Sequence, residues 1–248
     1  MMKRRVIEVM RITAGLALAL AVIAPAPAEA QVVRVTGSDS RQAIGFNLGY
    51  FAVRGEDSRV DDDVLLADIN DLLFEIGDFS GFTFGGEYLF GVSDYLEVGA
   101  GVGFYQKEVT SIYRDFEDID GSEIAQDLKL RIVPITATVR FLPIGRQAAA
   151  QPYIGAGIGI FNWRYSEVGE FIDFSDNSVF RQRYEKDGNA VGPVVLAGLR
   201  APVSDFWTVG GEIRWQRAEG DGLFDEGFLA DKIDLGGWTT SFNLHFRF

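Results

Sequence analysis

The chain has 248 residues, no cysteine, and 36 acidic against 23 basic side chains, a formal net charge of −13. The missing cysteines exclude a disulfide framework and a lipid-modified N-terminal cysteine. So acidic a chain is a poor candidate for nucleic-acid binding, and no nucleic-acid partner is expected.

The first thirty residues read as a targeting segment. Lys3, Arg4 and Arg5 precede an apolar stretch over 12–24, and Ala28-Glu29-Ala30 stands before Gln31. A basic start, an apolar middle and an A-x-A-like end are the parts of a secretory signal. A spanning helix needs roughly 20 apolar residues, so cleavage after Ala30 is expected rather than an anchor. Residues 1–30 carry four basic and two acidic side chains, and their removal takes the net charge from −13 to −15. No later apolar run is long enough for a spanning helix. A membrane form of the remainder must therefore be a closed barrel, because hydrocarbon satisfies no backbone polar group.

Residues 31–42 form a short polar lead, expected on the periplasmic side. The first strand is predicted over 43–53, with Ile44, Phe46, Leu48, Tyr50 and Ala52 on one face. A long acidic stretch over 54–78 follows. The second strand, 79–91, sets Phe82, Phe84, Gly86, Tyr88 and Phe90 against Thr83, Gly85, Glu87 and Leu89. After a tight turn, the third strand, 96–107, opposes Leu96, Val98, Ala100, Val102 and Phe104 to Glu97, Gly99, Gly101, Gly103 and Tyr105. Another acidic stretch over 108–128 leads to the fourth strand, 129–141, where Pro134 predicts a bulge or local irregularity, since proline cannot donate to a ladder. The fifth strand, 152–165, a polar stretch over 166–189, the sixth strand, 190–203, and a short turn lead to the seventh, 207–217. A last polar stretch over 218–232 precedes the closing strand, 233–248. There Trp238, Thr240, Phe242, Leu244, Phe246 and Phe248 alternate with Gly237, Thr239, Ser241, Asn243, His245 and Arg247.

Strict alternation marks strands with a different solvent on each side. The count is eight, and connections alternate long and short. An even number of strands of about ten residues, with short periplasmic turns and long outer loops, is the pattern of a transmembrane barrel. The expected fold is all-β: one eight-stranded antiparallel up-and-down transmembrane barrel over 43–248. Turning the seventh strand inside out would put Glu212 and Arg214 in hydrocarbon, at roughly 2–4 kcal/mol for a mid-bilayer Arg. The four tryptophans, Trp163, Trp207, Trp215 and Trp238, fall near strand ends and are expected in interfacial girdles.

The opposite faces point inward. Their glycines make room in a narrow barrel for long side chains on facing strands. The long ones are Glu87, Glu97, Arg140, Arg200, Glu212 and Arg214. Opposite charges in a confined lumen should pair, because an unpaired buried charge is costly. These six are expected to form a salt-bridge plug, the competing expectation being a narrow glycine-lined channel. The single histidine, His245, lies near the periplasmic end and reads as a structural inward residue; no catalytic site and no cofactor are expected.

Carboxylates crowd the first two long stretches. Hard cations favour carboxylate oxygen, so these stretches could bridge to lipopolysaccharide phosphates through divalent ions. Asp61, Asp62, Asp63, Asp118 and Asp120 are weak metal candidates. Phe116 stands where an EF-hand would begin with Asp, which favours a solvated, self-repelling surface. Within the first stretch Leu65, Ile69, Leu72 and Ile76 recur at helical spacing. A short helix capping the mouth and an extension of the second strand both fit.

The pattern resembles the small bacterial outer-membrane β-barrel proteins, the group that includes the OmpA membrane domain and OmpX-like proteins. The resemblance rests on the signal, the eight strands, the hairpin YLFGVSDYLEVGAGVGFY and the terminal SFNLHFRF. It implies an outer-membrane location. It also implies that Phe242, Leu244, Phe246 and Phe248 form the terminal aromatic signal read by the barrel-assembly machinery. With no residue after Phe248, no OmpA-like peptidoglycan-binding domain is expected to follow. Members of the group differ in function, and fold does not choose among them. The leading expectation is a non-enzymatic structural or surface-interaction protein, in contact with outer-membrane lipid and lipopolysaccharide and with an unknown extracellular partner. A transport barrel for small or apolar solutes is the alternative. A soluble lipocalin-like barrel is the third, and it would turn its apolar faces inward around a ligand.

Overall fold

The computed structural model describes residues 41–248 except 119, 174 and 177. The signal segment and nearly all of the polar lead lie outside the described residues. In chain order come β1 (Gln42–Val53), α1 (Val64–Asp71), β2 (Gly81–Gly91), β3 (Leu96–Glu117), β4 (Glu123–Phe141), β5 (Gln151–Asp173), β6 (Ser178–Pro202) and β7 (Trp207–Gln216). They are followed by β8 (Glu219–Gly220), β9 (Ile233–Asp234) and β10 (Gly237–Arg247). Eight of these strands close an antiparallel barrel in the order β1-β10-β7-β6-β5-β4-β3-β2, and β8 and β9 form a separate two-stranded ladder. Closure runs from Ala43↔Arg247 to Val53↔Gly237, and Phe248 N donates to Gln42 O at 3.1 Å. The ring leaves no sheet edge in the bilayer, where an unpaired backbone group has no water to turn to.

Period-two alternation decides the two faces. Outward stand Phe46, Leu48, Phe82, Phe84, Val102, Ile135, Ile158, Val191, Leu199 and Phe242, all exposed, with Phe82 at 79% and Val191 at 70%. So wide an apolar exterior is an interface with lipid rather than with water. A soluble lipocalin-like barrel needs the reverse arrangement, and the structure excludes it. The outward residues turn polar at one level. Phe104, Val133, Ile160 and Val191 are succeeded by Gln106, Arg131, Asn162 and Asn189. That row marks the outer boundary of the hydrocarbon.

Two acidic or polar stretches expected as loops are strand instead. β3 and β4 stay paired past Glu108↔Lys129 to Ile112↔Ala125, and after a register shift again at Glu117↔Glu123. β5 and β6 stay paired without a break to Asp173↔Ser178. The barrel wall thus rises as a four-stranded sheet beyond the membrane. Polar composition suggested loops, but alternation persists: Val109, Leu128, Tyr165 and Phe171 face inward and are buried, while Glu108, Asp127 and Val168 face outward. The inner face has something to pack on, which supplies the burial that isolated ribbons lack.

Two local expectations meet different outcomes. At Pro134 the expected irregularity takes the form of a lapse in pairing, without a bulge. Pairing of β3 with β4 lapses between Val102↔Ile135 and Tyr105↔Ile132, and both strands advance by the same number of residues. A Cβ on Gly103 would lie 3.0 Å from Pro134 Cγ, so the glycine opposite accommodates the ring. Trp207 and Trp238 do face outward at the rims, and Trp215 stands beside Trp238. Trp163, by contrast, is turned inward and buried. Its phase on β5 is that of Phe161 and Tyr165, and Gly188 and Gly220 leave room for its indole.

Candidate functional site

The lumen is filled in two layers of different chemistry. The periplasmic layer is ionic. Arg140 on β4 reaches across to Glu87 on β2, with Nη2–Oε2 at 2.6 Å and Nη1–Oε1 at 3.2 Å, and to Glu212 on β7, with Nη2–Oε2 at 3.0 Å. Arg214 clamps Glu212 Oε1 through Nε at 3.1 Å and Nη2 at 2.8 Å. Glu97 faces Arg140 across β3–β4, yet its partner is Arg200 on β6 at 2.6 Å. The six charges expected in the lumen are therefore brought into two adjoining groups, around Arg140 and around Arg200. Tyr153 joins them: its hydroxyl donates to Glu212 Oε2 at 3.0 Å, and both guanidinium groups lie over its ring, at 5.1 and 5.7 Å from the centroid. A guanidinium over an aromatic face adds attraction where water is scarce. His245 Nε2 is 2.8 Å from Glu87 Oε1. Glycine makes that contact possible, since a Cβ on Gly45 would lie 2.5 Å from His245 Cδ2.

The outer layer is an apolar plug. α1 begins at Asp63, whose side chain accepts from Leu65 N, and it buries Val64, Leu65 and Asp68. Of the two expectations for this stretch, the helix is the one that forms. Loop 218–235 descends beside it and contributes Leu223, Phe228, Ala230, Ile233 and Leu235 to one cluster with Phe51, Phe79, Leu128, Leu130, Phe161 and Trp163. The two loops are clasped by ions. Arg59 holds Asp63 in a two-pronged pair at 3.0 and 2.9 Å, Asp63 Oδ2 accepts from Asp234 N at 2.6 Å, and Asp234 takes Arg54 at 2.7 Å. Deep in this layer the Asp68 and Glu167 carboxyls are hydrogen-bonded to each other, and Tyr165 donates to Asp68 Oδ2 at 2.9 Å. Burial pushes Glu167 up to about 7, and burial with the neighbouring Glu167 charge holds Asp68 well above the ordinary aspartate range. Between the layers lies a cavity of about 40 Å³, lined in part by Asn47, Thr83, Glu87, Arg214 and Ser241.

A closed strand ring with a lipid-facing apolar belt is what a transmembrane barrel requires. The family model for the outer membrane protein beta-barrel domain matches residues 14–246. The chain belongs to this family. With its apolar exterior, that places the protein in the outer membrane. Similar solved structures include OprG from Pseudomonas aeruginosa, at 12% identity over 86% of this chain and 99% of that chain, TM-score 0.49. Neisserial surface protein A is similar at 13% identity over 84% and 98%, TM-score 0.47. Outer Membrane Protein W of E. coli is similar at 16% over 85% and 100%, TM-score 0.39. No curated protein matches the chain.

In this family member the weak metal candidates are dispersed. Asp63 is buried and committed to Arg59, Leu65 N and Asp234 N, so it is unsuited to a loop cation. Asp62 has φ +62° and accepts weakly from Asp231 N, and Asp61 points to solvent. Asp118 and Asp120 sit at the tip of the β3–β4 ribbon, where Asp120 caps Ser122 N. Among the described residues no three His, Asp or Glu side chains converge as ligands. Of the terminal motif, Phe242, Phe246 and Phe248 face lipid and Leu244 is half-buried on the same face. Phe206, Trp207, Phe246 and Phe248 form an aromatic cluster at the periplasmic rim. The members of the ionic layer not anticipated from sequence are Arg146, Gln151, Tyr153 and Arg247. For Arg247 and Tyr153 the signal was available, since both occupy inward phase positions. Gln151 is the first residue of β5 and shares Tyr153's inward phase, one residue before the predicted strand, whereas Arg146 comes from the β4–β5 turn, which period-two reasoning does not reach.

Proposed function

We propose that this protein is a non-enzymatic, closed-lumen outer-membrane protein that acts at the cell surface through its raised strands, not as a conduit for solutes. The observation that carries this is the double filling of the lumen. A solute would have to displace both a hydrogen-bonded ion network and a clasped apolar plug. The one histidine supports the non-enzymatic reading, because it is tied to Glu87 in the periplasmic layer, far from the outer leaflet. The partners that fit are outer-membrane lipid with its lipopolysaccharide, the barrel-assembly machinery reading Phe242, Leu244, Phe246 and Phe248, and an extracellular partner for the raised sheet. Planar-bilayer recording of the purified, folded protein is expected to show no large steady conductance. Large steady openings would overturn the proposal and favour the transport alternative.

A further inference from the structure

Two adjoining rows on the outward face of the wall, just beyond the hydrocarbon, differ in how their charges are placed. In the row farther from the membrane, Glu108 on β3 stands opposite Lys129 on β4, and the two pair at 3.0 Å. The row nearer the membrane breaks that pattern. Register sets Gln106 on β3 opposite Arg131 on β4, and Arg131 opposite Arg164 on β5. All three side chains face outward, Gln106 exposed and the two arginines half-buried. Like charges directly opposite each other across an antiparallel pair are destabilising. Neither Gln106 nor Arg164, nor Lys129 two residues along the same face, offers Arg131 a negative charge.

Arg164 is partly neutralised from its other side. Its Nη1 takes Glu185 Oε1 at 2.9 Å, and its Nη2 lies 3.6 Å from Asp187 Oδ1, both on β6. Glu185 is also within electrostatic reach of Arg131, but it is shared with Arg164 and Arg183. Among the described residues no ion pair holds Arg131, and the Nε atoms of Arg131 and Arg164 have no hydrogen-bond partner. Directly toward the membrane on the same faces come Val133 and Asn162, then Ile135 and Ile160. The two guanidinium groups thus stand where an outer-leaflet lipid has its headgroup, above a surface that its acyl chains cover. Arginine stems lie along such a surface while their heads stay at the interface, and arginine forks match phosphate oxygens.

We infer that Arg131 and Arg164, with the Gln106 amide beside them, bind a phosphate on the sugar headgroup of lipopolysaccharide at the outer boundary of the belt. A phosphate between the two arginines replaces a repulsion with two charge-assisted pairs. Glu185 and Asp187 stay on the β6 side of Arg164 and hold its fork. The inference deepens the proposed contact with lipopolysaccharide and rests on that reading. Neither arginine faces the lumen, so steady conductance in planar bilayers would overturn the closed lumen and leave this site standing.

The test uses the folded protein in phosphatidylcholine vesicles that contain either bisphosphorylated lipid A or lipid A stripped of both phosphates. Thermal unfolding is compared for wild type, Arg131→Gln, Arg164→Gln and Arg183→Gln, the last lying farther out on the same wall. Bisphosphorylated lipid A is expected to raise the wild-type midpoint by about 2–4 °C or more over the stripped form. Arg131→Gln and Arg164→Gln should lose most of that shift, and Arg183→Gln should keep it. In phosphatidylcholine alone Arg131→Gln is expected to unfold no earlier than wild type, because it removes the repulsion with Arg164. Earlier unfolding there marks a structural arginine and overturns the inference. Native mass spectrometry of detergent-released wild type, which needs no variant, should show the bisphosphorylated lipid retained about tenfold more than the stripped form. Equal retention of the two forms, or a midpoint shift that Arg131→Gln keeps, also overturns it.

Discussion

The carboxyl pair in the outer plug makes the stability of α1 a function of pH, and the sign can be worked out. Asp68 on α1 and Glu167 on β5 face each other with Tyr165; Tyr113, Tyr184, Asp63 and Arg59 are the other titratable or charged groups nearby. Two hydrogen-bonded carboxyls need a proton between them, and the pair titrates as a unit. Burial raises Glu167 from 4.5 to about 7. Its folded value lies above its unfolded one, so the exposed state ionises first as pH rises. The plug is therefore most stable at low pH, weakens as pH rises through about 4.5 to about 7, and goes on weakening beyond it, because Asp68 too is held well above its ordinary value. For Glu167 alone a gap of roughly 2.5 pH units at 1.36 kcal/mol each is about 3 kcal/mol, which water entering beside α1 would reduce and the raised Asp68 would add to. The assay is amide hydrogen exchange of α1 in the folded protein, corrected for intrinsic rates, between about pH 5 and about pH 8.5. An increase in opening of up to roughly a hundredfold is expected. Glu167→Gln cannot ionise and should flatten the dependence. Protection of α1 that does not change with pH in wild type, or the same pH dependence in Glu167→Gln, would refute the reasoning.

Three further outcomes follow from the geometry. Arg140→Met leaves Glu87 and Glu212 short of their main counter-charge in the lumen. It should cost about 3–5 kcal/mol in urea unfolding from lipid vesicles, and a loss below about 1 kcal/mol would show the network to be solvated. Gly45→Val drives a side chain into His245 and should lower the folded fraction on heat-modifiable gels, with partial recovery in Gly45→Val/His245→Ala. Deleting Phe248 removes a half-exposed ring worth only about 1 kcal/mol of burial. Insertion by cells should nonetheless fall more than refolding into pure lipid does; equal effects in the two settings would make Phe248 one more strand end.

The barrel's wall was legible because its signal is local. Alternation along residues 43–53, 96–104 and 238–248 assigns faces without knowledge of partners, and the charges on Glu212 and Arg214 settle which face is wet. The phase also carried Glu87, Arg140 and Arg200 inward. What it could not carry was pairing across the lumen. Glu97 and Arg140 are cross-strand neighbours, yet each binds a residue on a distant strand, because the shortest route between long side chains in a narrow barrel crosses its middle. Composition misled at 108–128 and 166–189. Acidic, polar residues read as loop, while Val109, Ser111, Ile124, Gln126 and Leu128 alternate inward and are buried beside a plug that the sequence does not announce. Trp163 went astray for the same reason, as a strand-end aromatic is rim or core depending on whether the strand ends there.

The net charge of −13 is not that of the periplasmic layer of the lumen, where arginine outnumbers glutamate. Arg140, Arg146, Arg200, Arg214 and Arg247 stand there against Glu87, Glu97 and Glu212. The excess acid is carried by the outer loops and raised strands, where Asp61, Asp62, Asp115 and Glu123 face water. Self-repulsion there costs little, since solvent screens it, whereas inside the barrel each arginine must find an acceptor. The overall charge thus does not describe the periplasmic layer. Inside the barrel pairing rather than screening sets the arrangement, Arg140 taking Glu87 and Glu212 and Arg200 taking Glu97.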